Sequence, residues 1–255
     1  MYDDTIEWHN VAEHGSITRR MVCYGSSTKD QTKLSAVREV AELCTSHQIA
    51  PPDKGAKIEI LMRDAYGVKD TDGSRLDGDH RGGSYPISEN DFSVSLKITY
   101  GNFSYALCGD LSGRKYEDPN GYTYHDIESS VAPMMGEVDL YHANHHALET
   151  STNQNWVDEL KPSVTVISCR TGPPYDKAMD RLVDVGGIIY ATNDCWSYWG
   201  YDNYHPDETR IFYDDIIVTV PTGSDTFTVS RKDGSDAETY EIRKNKTPGE
   251  CKVLA

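Results

Sequence analysis

The strongest constraint on the fold is an alternating stretch near the middle of the chain, from Phe92 to Cys108. Its first half, F-S-V-S-L-K-I-T, places an apolar side chain at every second position, which is typical of a strand with one buried face. Gly101-Asn102 is a two-residue turn signal, and the apolar run after it predicts a returning strand. We therefore expect a β-hairpin that ends on Gly109-Asp110.

Strand-like and helix-like segments alternate after the hairpin. Ser151-x-x-Gln154 is a capping-box signature for a helix that stops at Pro162. The other predicted elements are a helix around His125–Val131, a strand at Val138–His142, a strand at Val164–Ser168, a helix through Ala178, Leu182 and Val185, and a strand at Ile188–Ala191. This βαβαβ order predicts an α/β (α+β) fold with a largely parallel sheet.

The two ends of the chain carry different patterns. Apolar residues at helical spacing from Leu34 to Cys44 predict an amphipathic helix that ends near Ser46, and Lys57–Met62 alternates like a strand. Short strands are expected in Ile211–Val220, Thr226–Ser230 and Thr239–Ile242, as an antiparallel addition to the sheet, and the residues from Lys246 onward are expected to fray.

Charge and composition limit the partners. A net charge of −16 argues against a basic groove that binds nucleic acid, although metal ions could still bring phosphates to such a surface. The sequence has no signal-peptide pattern and no apolar run long enough to cross a bilayer, so no membrane partner is expected. The six Cys show no metal-binding spacing, and Cys108 and Cys169 are expected to be apolar thiols that close strands. Disulfides, compartment and oligomeric state stay open.

Two loops carry side chains that bind metals. Asp110 follows the hairpin, while His145 and His146 follow the next predicted strand. Carboxylate and imidazole are the preferred ligands of zinc, manganese and iron, and α/β proteins place their sites at the carboxyl ends of strands. The alternative is a turn aspartate beside two exposed histidines.

The blocks around these loops resemble a known family. The run from Asn90 to Leu111 is similar to the N-D-x-S-(V/L)-x-L-x-(V/L)-x-Y-G-x-F-x-x-L-x-G-D-L block of metallo-β-lactamase-fold hydrolases of the competence-protein (ComEC-like) type. Val138–Ala147 looks like the V-D-V-x-x-x-N-H-H-G block of that family, and the register continues through Ser168. The resemblance covers roughly residues 55–192.

The resemblance implies an αββα sandwich and two metals, zinc or else manganese or iron, which activate water for attack on a phosphodiester or related ester. Asp110 matches the bridging carboxylate, and His145 and His146 match the His-His pair. Asp110 and His145 would carry the catalysis as metal ligands. The implied organisation is an irregular segment over 1–54 with one helix, a metallo-β-lactamase-like domain over 55–245 and a frayed tail over 246–255.

The chain departs from the family pattern at three places. The leading H-x-H-x-D-H motif is absent from the sequence, Ala147 replaces a glycine, and Pro174-Tyr175-Asp176-Lys177 stands where the family has a late histidine. Asp176 could supply an oxygen ligand or cap a helix. His205, in an N-Y-H-P run, could supply the histidine or be an exposed loop residue. Asp77-Gly-Asp79-His80 imitates the end of the leading motif or is an acidic surface loop.

Two functions follow as hypotheses. The first is a metal-dependent hydrolase that corresponds largely to the C-terminal half of the fold, with the first β-lobe reduced or missing, and is either truncated or degenerate at its first metal site. Its substrate would be a small phosphoester or a nucleic-acid-derived ester. The alternative is a non-catalytic binding or interaction module of the same fold.

Overall fold

The computed structural model describes residues 20–21, 39–40, 42–51, 53–63, 65, 68–69, 73, 87–119, 121–169, 174–194 and 206–252. The strands are β1 (Arg20–Met21), β2 (Glu39–Val40), β3 (Ala56–Met62), β4 (Ser95–Tyr100), β5 (Phe103–Leu107), β6 (Gly113–Glu117), β7 (Thr123–Asp126), β8 (Leu140–His142), β9 (Val164–Ile167), β10 (Ile188–Ala191), β11 (Thr209–Ile211), β12 (Ile216–Thr219), β13 (Thr226–Arg231) and β14 (Glu238–Glu241). The helices are α1 (Glu128–Met135), α2 (Gln154–Leu160) and α3 (Asp176–Asp184), with 3₁₀ turns at Glu89–Phe92 and Asn144–Ala147.

A mixed seven-stranded sheet forms the centre of the fold, in the order β11-β10-β9-β8-β5-β4-β3. β3, β4 and β5 are antiparallel neighbours, which confirms the predicted hairpin, although its first strand begins at Ser95 because Phe92 belongs to a 3₁₀ turn. From β5 through β8, β9, β10 and β11 every pairing is parallel. The fold class is therefore mixed α/β, and the predicted parallel region is confirmed.

Each face of this sheet is covered by a different layer. The three helices pack on one face, where Tyr141 and Ile167 of the sheet meet Trp156 of α2 in the largest apolar cluster. A separate sheet of β12, β13 and β14 packs on the other face, and the rings of Phe103 and Phe227 meet edge to face at 5.2 Å. The predicted antiparallel addition to the main sheet is therefore wrong. The late strands stack on the sheet because their alternating apolar side chains need a face to cover, and only β11 joins it, in parallel.

The predicted N-terminal helix is wrong where the structure describes it. Glu39–Val40 form a strand that pairs with β1, and residues 42–50 contain no helix. The backbone N–H of Cys44 donates to Ile60 O, and Cys44 has a φ of 61°, so this segment follows the edge of the sheet and cannot continue a helix. Residues 34–38 and 41 lie outside the described part.

The frayed tail is also a wrong prediction over residues 246–252. Cys251 forms a disulfide with Cys44, 207 residues away in sequence, and Lys246 Nζ lies 2.5 Å from the buried carboxylate of Asp139. A lone lysine after a polar segment gives no sign of a buried partner a hundred residues earlier. Residues 253–255 lie outside the described part.

Two predictions about single residues need correction. The N-cap of α2 is Asn153, whose Oδ1 accepts from Trp156 N at 2.8 Å, while the Ser151 hydroxyl donates to Asn144 O. Cys108 is a buried free thiol as predicted, but Cys169 is disulfide-bonded. Among the described residues, no helix is both long enough and apolar enough to cross a membrane.

Candidate functional site

The predicted loops meet because β5 and β8 are parallel neighbours whose carboxyl ends lie at one edge of the sheet. Asp110 follows β5 by three residues, and the 3₁₀ turn with His145 and His146 follows β8. The backbone N–H of His145 donates to Gly109 O at 3.1 Å, which fastens one loop to the other. The structure thus brings all three predicted site residues to one place.

His146 and Asp110 form the most open part of the site. His146 Nε2 lies 3.7 Å from Asp110 Oδ1, and each side chain is about half exposed. His146 Nδ1 lies 2.5 Å from Ser168 O. A carbonyl oxygen only accepts, so Nδ1 carries a proton, and in the neutral ring the lone pair is on Nε2, the nitrogen near Asp110. Histidines that bind metals are held in this way, by an N–H that donates to a carbonyl or carboxylate.

The distance between Asp110 Oδ1 and His146 Nε2 is close to that between two ligand atoms of one zinc ion. Nitrogen and oxygen ligands lie about 2.0–2.1 Å from zinc, so two of them at a tetrahedral angle are about 3.4 Å apart. The observed 3.7 Å differs from that by a few tenths of an ångström. The distance therefore allows Asp110 and His146 to be ligands of one cation after a small movement of their side chains.

His145 is engaged differently. Its Nδ1 lies 2.9 Å from Thr150 Oγ1, and its Nε2 lies 3.3 Å from the Asn90 amide nitrogen. An amide nitrogen only donates, so the lone pair of Nε2 accepts from Asn90 and Nδ1 donates to Thr150. The ring also stacks on Tyr124, with centroids 6.4 Å apart. His145 must therefore release Asn90 before its lone pair can reach a metal.

Burial favours the neutral form of the two inner histidines, His142 and His145, because it lowers the pKa of each. It lowers the pKa of His145, with Asp110 opposing and His146 adding to the effect. It also lowers the pKa of His142, where the proximity of His146 adds and Asp110 opposes. A neutral imidazole is the form that binds metal, because it has a free lone pair.

The histidine turn has an unusual backbone. His145, His146 and Ala147 have φ values of 45°, 57° and 57°. Left-handed geometry costs a residue with a side chain about 1–2 kcal/mol. Ala147 stands where the similar sequence block has glycine, and its φ of 57° is in the region that favours glycine. Such a turn persists only if its surroundings hold it firmly.

Glu128 provides that support, a role that no sequence pattern predicts. The side chain is fully buried at the start of α1. Its Oε1 accepts from Asn144 Nδ2 at 2.8 Å and from Thr152 N at 2.7 Å, and its Oε2 accepts from Asn153 N at 2.7 Å. Burial raises the pKa of Glu128 to about 7, although these three hydrogen bonds oppose the rise. One carboxylate thus holds both ends of the loop that carries the histidines.

A second buried pair, Asp91 and His125, positions the turn that carries Asn90. Asp91 Oδ2 accepts from His125 N at 3.0 Å and lies 2.7 Å from His125 Nδ1. Burial raises the pKa of Asp91, with the His125 and Ser112 side chains opposing. Asp91 directly follows Asn90, so this pair fixes the 3₁₀ turn from which Asn90 reaches His145.

The remaining candidates lie at the border of the described region or beyond it. Asp176 is the first residue of α3, and the N-cap is Tyr175, whose N–H donates to Ala147 O at 2.8 Å. The start of α3 therefore abuts the histidine turn, but within the described residues no hydrogen bond or ion pair joins Asp176 to Asp110, His145 or His146. His205 and the Asp77-Gly-Asp79-His80 run lie outside the described residues.

Within the described ranges, no group of three or more His, Cys, Asp or Glu side chains is arranged to hold a metal ion. Asp110 and His146 lie close to each other, but the third candidate ligand, His145, accepts a hydrogen bond from Asn90. Comparison with known proteins found no matching protein-family model and no matching curated protein.

Proposed function

We propose that this protein is a metal-dependent hydrolase of the metallo-β-lactamase superfamily that acts on phosphodiester or related ester bonds. The observation that carries the proposal is the pairing of His146 Nε2 with Asp110 Oδ1 at 3.7 Å, with the proton of His146 fixed on the opposite nitrogen by Ser168 O. The layers support it as well, because helices, a mixed sheet and a second sheet correspond to three layers of an αββα sandwich.

Each residue of the site has a separate task in this proposal. Asp110 and His146 would hold zinc, manganese or iron, and His145 would join them after it releases Asn90. A divalent cation held there would lower the pKa of a bound water molecule toward neutrality and so supply the nucleophile for ester hydrolysis. The cation would also attract an anionic substrate to a protein whose net charge is −16. Asp176 and His205 stay predictions for further ligands.

Hydrolysis of bis(4-nitrophenyl) phosphate tests the proposal. We expect turnover that disappears with a chelator and returns with zinc or manganese, and Asp110→Ala should abolish it. Asp184→Ala, which removes an exposed carboxylate at the end of α3, is the matched control and should leave the rate unchanged. Turnover that resists chelation, or that survives in Asp110→Ala, would contradict the proposal.

The second candidate is a non-catalytic binding module of the same fold. The bond from Asn90 to His145 favours it, because it occupies a lone pair that catalysis would need. Asn90→Ala separates the two candidates. In a hydrolase the freed His145 should tighten metal binding, whereas in a binding module the substitution should leave metal uptake at the background level.

A further inference from the structure

Ser168, at the end of β9, contacts two of the imidazoles at the site. Its carbonyl oxygen accepts from His146 Nδ1, and its hydroxyl oxygen lies 2.8 Å from His142 Nε2. The residue is half-buried. The contact with His146 is at Nδ1, on the other side of the ring from the Nε2 that lies near Asp110. The hydroxyl borders the site through His142, because the charges of both His146 and Asp110 act on that imidazole.

The proton on His142 decides what the Ser168 hydroxyl can do. His142 Nδ1 is buried and has no hydrogen-bond partner within the described part of the chain. If Nδ1 carried the proton, a buried N–H would lack an acceptor, which folded proteins rarely tolerate. The proton therefore belongs on Nε2, which donates it to Ser168 Oγ.

This direction excludes one role for the pair and indicates another. A serine nucleophile needs a neighbouring base that accepts its proton, and His142 Nε2, already protonated, cannot accept it. Ser168 Oγ accepts from His142, so its own O–H is left to donate. No other partner of this hydroxyl is found in the described residues.

We propose that Ser168 donates a hydrogen bond to an anionic oxygen of the substrate, a phosphoryl group or the oxyanion of a related ester, bound beside Asp110 and His146. His142 is a positioning residue that turns the hydroxyl toward this oxygen. The inference rests on the proposed function and extends it by a substrate contact. A donor oriented in advance stabilises charge that develops during hydrolysis without having to reorganise.

Nuclear magnetic resonance tests the direction of the bond in the metal-free protein. Long-range ¹H–¹⁵N correlations distinguish the two neutral forms of histidine, and His142→Ala identifies the signals of His142. We expect the proton on Nε2. A proton on Nδ1 would overturn the inference, because Ser168 would then donate to His142.

Binding of inorganic phosphate to the zinc-loaded protein, measured by calorimetry, tests the contact itself. Ser168→Ala should weaken phosphate binding about tenfold or more, the effect of losing one hydrogen bond to a charged group. Ser168→Thr keeps the hydroxyl and should restore the affinity. Ser163→Ala, at the other end of the same strand, is the matched control and should bind phosphate like the unaltered protein.

The zinc content of each sample distinguishes failure of the Ser168 inference from failure of the proposed function. If all variants take up zinc, two results would overturn the inference alone. One is a phosphate affinity of Ser168→Ala equal to that of the unaltered protein, and the other is a failure of Ser168→Thr to restore the affinity. Absence of zinc uptake by the unaltered protein would overturn the proposed function and the inference together.

Discussion

Two fully buried carboxylates hold two regions of the molecule in different ways. Glu128 fastens the histidine loop, and its partners among the described residues are amide N–H groups, those of the Asn144 side chain and of the backbone of residues 152 and 153. Asp139 fastens the C-terminal tail, and its partners include cations: Lys246 Nζ lies 2.5 Å from Oδ2, and Arg243 Nε lies 3.7 Å from Oδ1.

The difference between them is charge compensation. A buried anion beside two cations is a fixed anchor, because removing either charge leaves the other stranded in the interior. A buried anion held by neutral donors keeps a high pKa, so its charge, and the strength of its hydrogen bonds, change near neutral pH. The tail is thus held by buried ion pairs, whereas the candidate site rests on a carboxylate with a raised pKa.

The largest effect on stability should follow from removing the carboxylate of Asp139, which holds the C-terminal tail. Asp139→Ala leaves the largely buried Lys246 without its partner, and we expect a loss of about 3–5 kcal/mol in the free energy of unfolding, measured in urea. Lys244→Ala removes an exposed pair with Asp225 and should cost no more than about 1 kcal/mol. Equal losses in the two variants would show that burial does not distinguish these ion pairs.

The disulfide between Cys44 and Cys251 should have the next largest effect. Replacing both cysteines with serine releases a loop closed over 207 residues, and we expect a loss of about 2–4 kcal/mol. The histidine signals of the site should not move in this variant, because the site is held by Glu128. If the His145 and His146 resonances shifted strongly, the two regions would not be independent.

The pH dependence of stability tests the Glu128 side of the comparison. The folded pKa of about 7 lies above the ordinary value of 4.5, so between these values the folded chain keeps a proton that the unfolded chain has lost. The contribution of Glu128 to stability must then fall as pH rises from about 4.5 to about 7, by at most about 3 kcal/mol.

Glu128→Gln removes this titration and supplies the control. Subtracting its unfolding free energy from that of the unaltered protein, at each pH from 4 to 8 (the range set by the two pKa values), isolates the contribution of Glu128. We expect this difference to decline with pH. A difference that is constant or that rises would show that Glu128 is ionised throughout, as a carboxylate paired with cations would be.

The smallest effect concerns the strained turn. Ala147→Gly relieves the strain of an alanine in the left-handed region but also removes a buried methyl group. Each effect changes the free energy of unfolding by about 1 kcal/mol, and the two nearly cancel. Ala143→Gly removes an equally buried methyl from an ordinary backbone with φ of −57° and gains no such relief. Thermal unfolding should therefore show Ala147→Gly to be the more stable variant by about 1 kcal/mol. The reverse order would mean that the turn is not strained at Ala147.

Much of the central sheet could be predicted from sequence because its signals are local. The hairpin around Gly101-Asn102 shows as a period of two, and the parallel strands show as apolar runs between helical segments. The meeting of Asp110 with His146 could be predicted as well, because it follows from two neighbouring strands ending at one edge. Each of these expectations needed only the spacing of residues along the chain.

The supports of the site could not be predicted, because they are set by burial and distant partners. Glu128 accepts hydrogen bonds from residues 16 to 25 positions later, and nothing in a helix-starting glutamate reveals them. Asn90 was part of a matched motif, but its contact with His145 spans 55 positions. The capping-box pattern predicts Ser151 as the cap in place of Asn153, because both residue types cap helices and only the three-dimensional hydrogen bonds distinguish them.

Metal binding by the purified protein is the most direct test of the central claim, that Asp110 and His146 form a cation site. Zinc, manganese and iron should be quantified in protein prepared without chelators, followed by zinc titration of the metal-free form. We predict at least one metal ion per chain, and a loss of at least about tenfold in zinc affinity in both Asp110→Ala and His146→Ala, since even residues that only support ligands contribute that much. Absence of metal from the unaltered protein, or zinc affinity unchanged in both variants, would contradict the account.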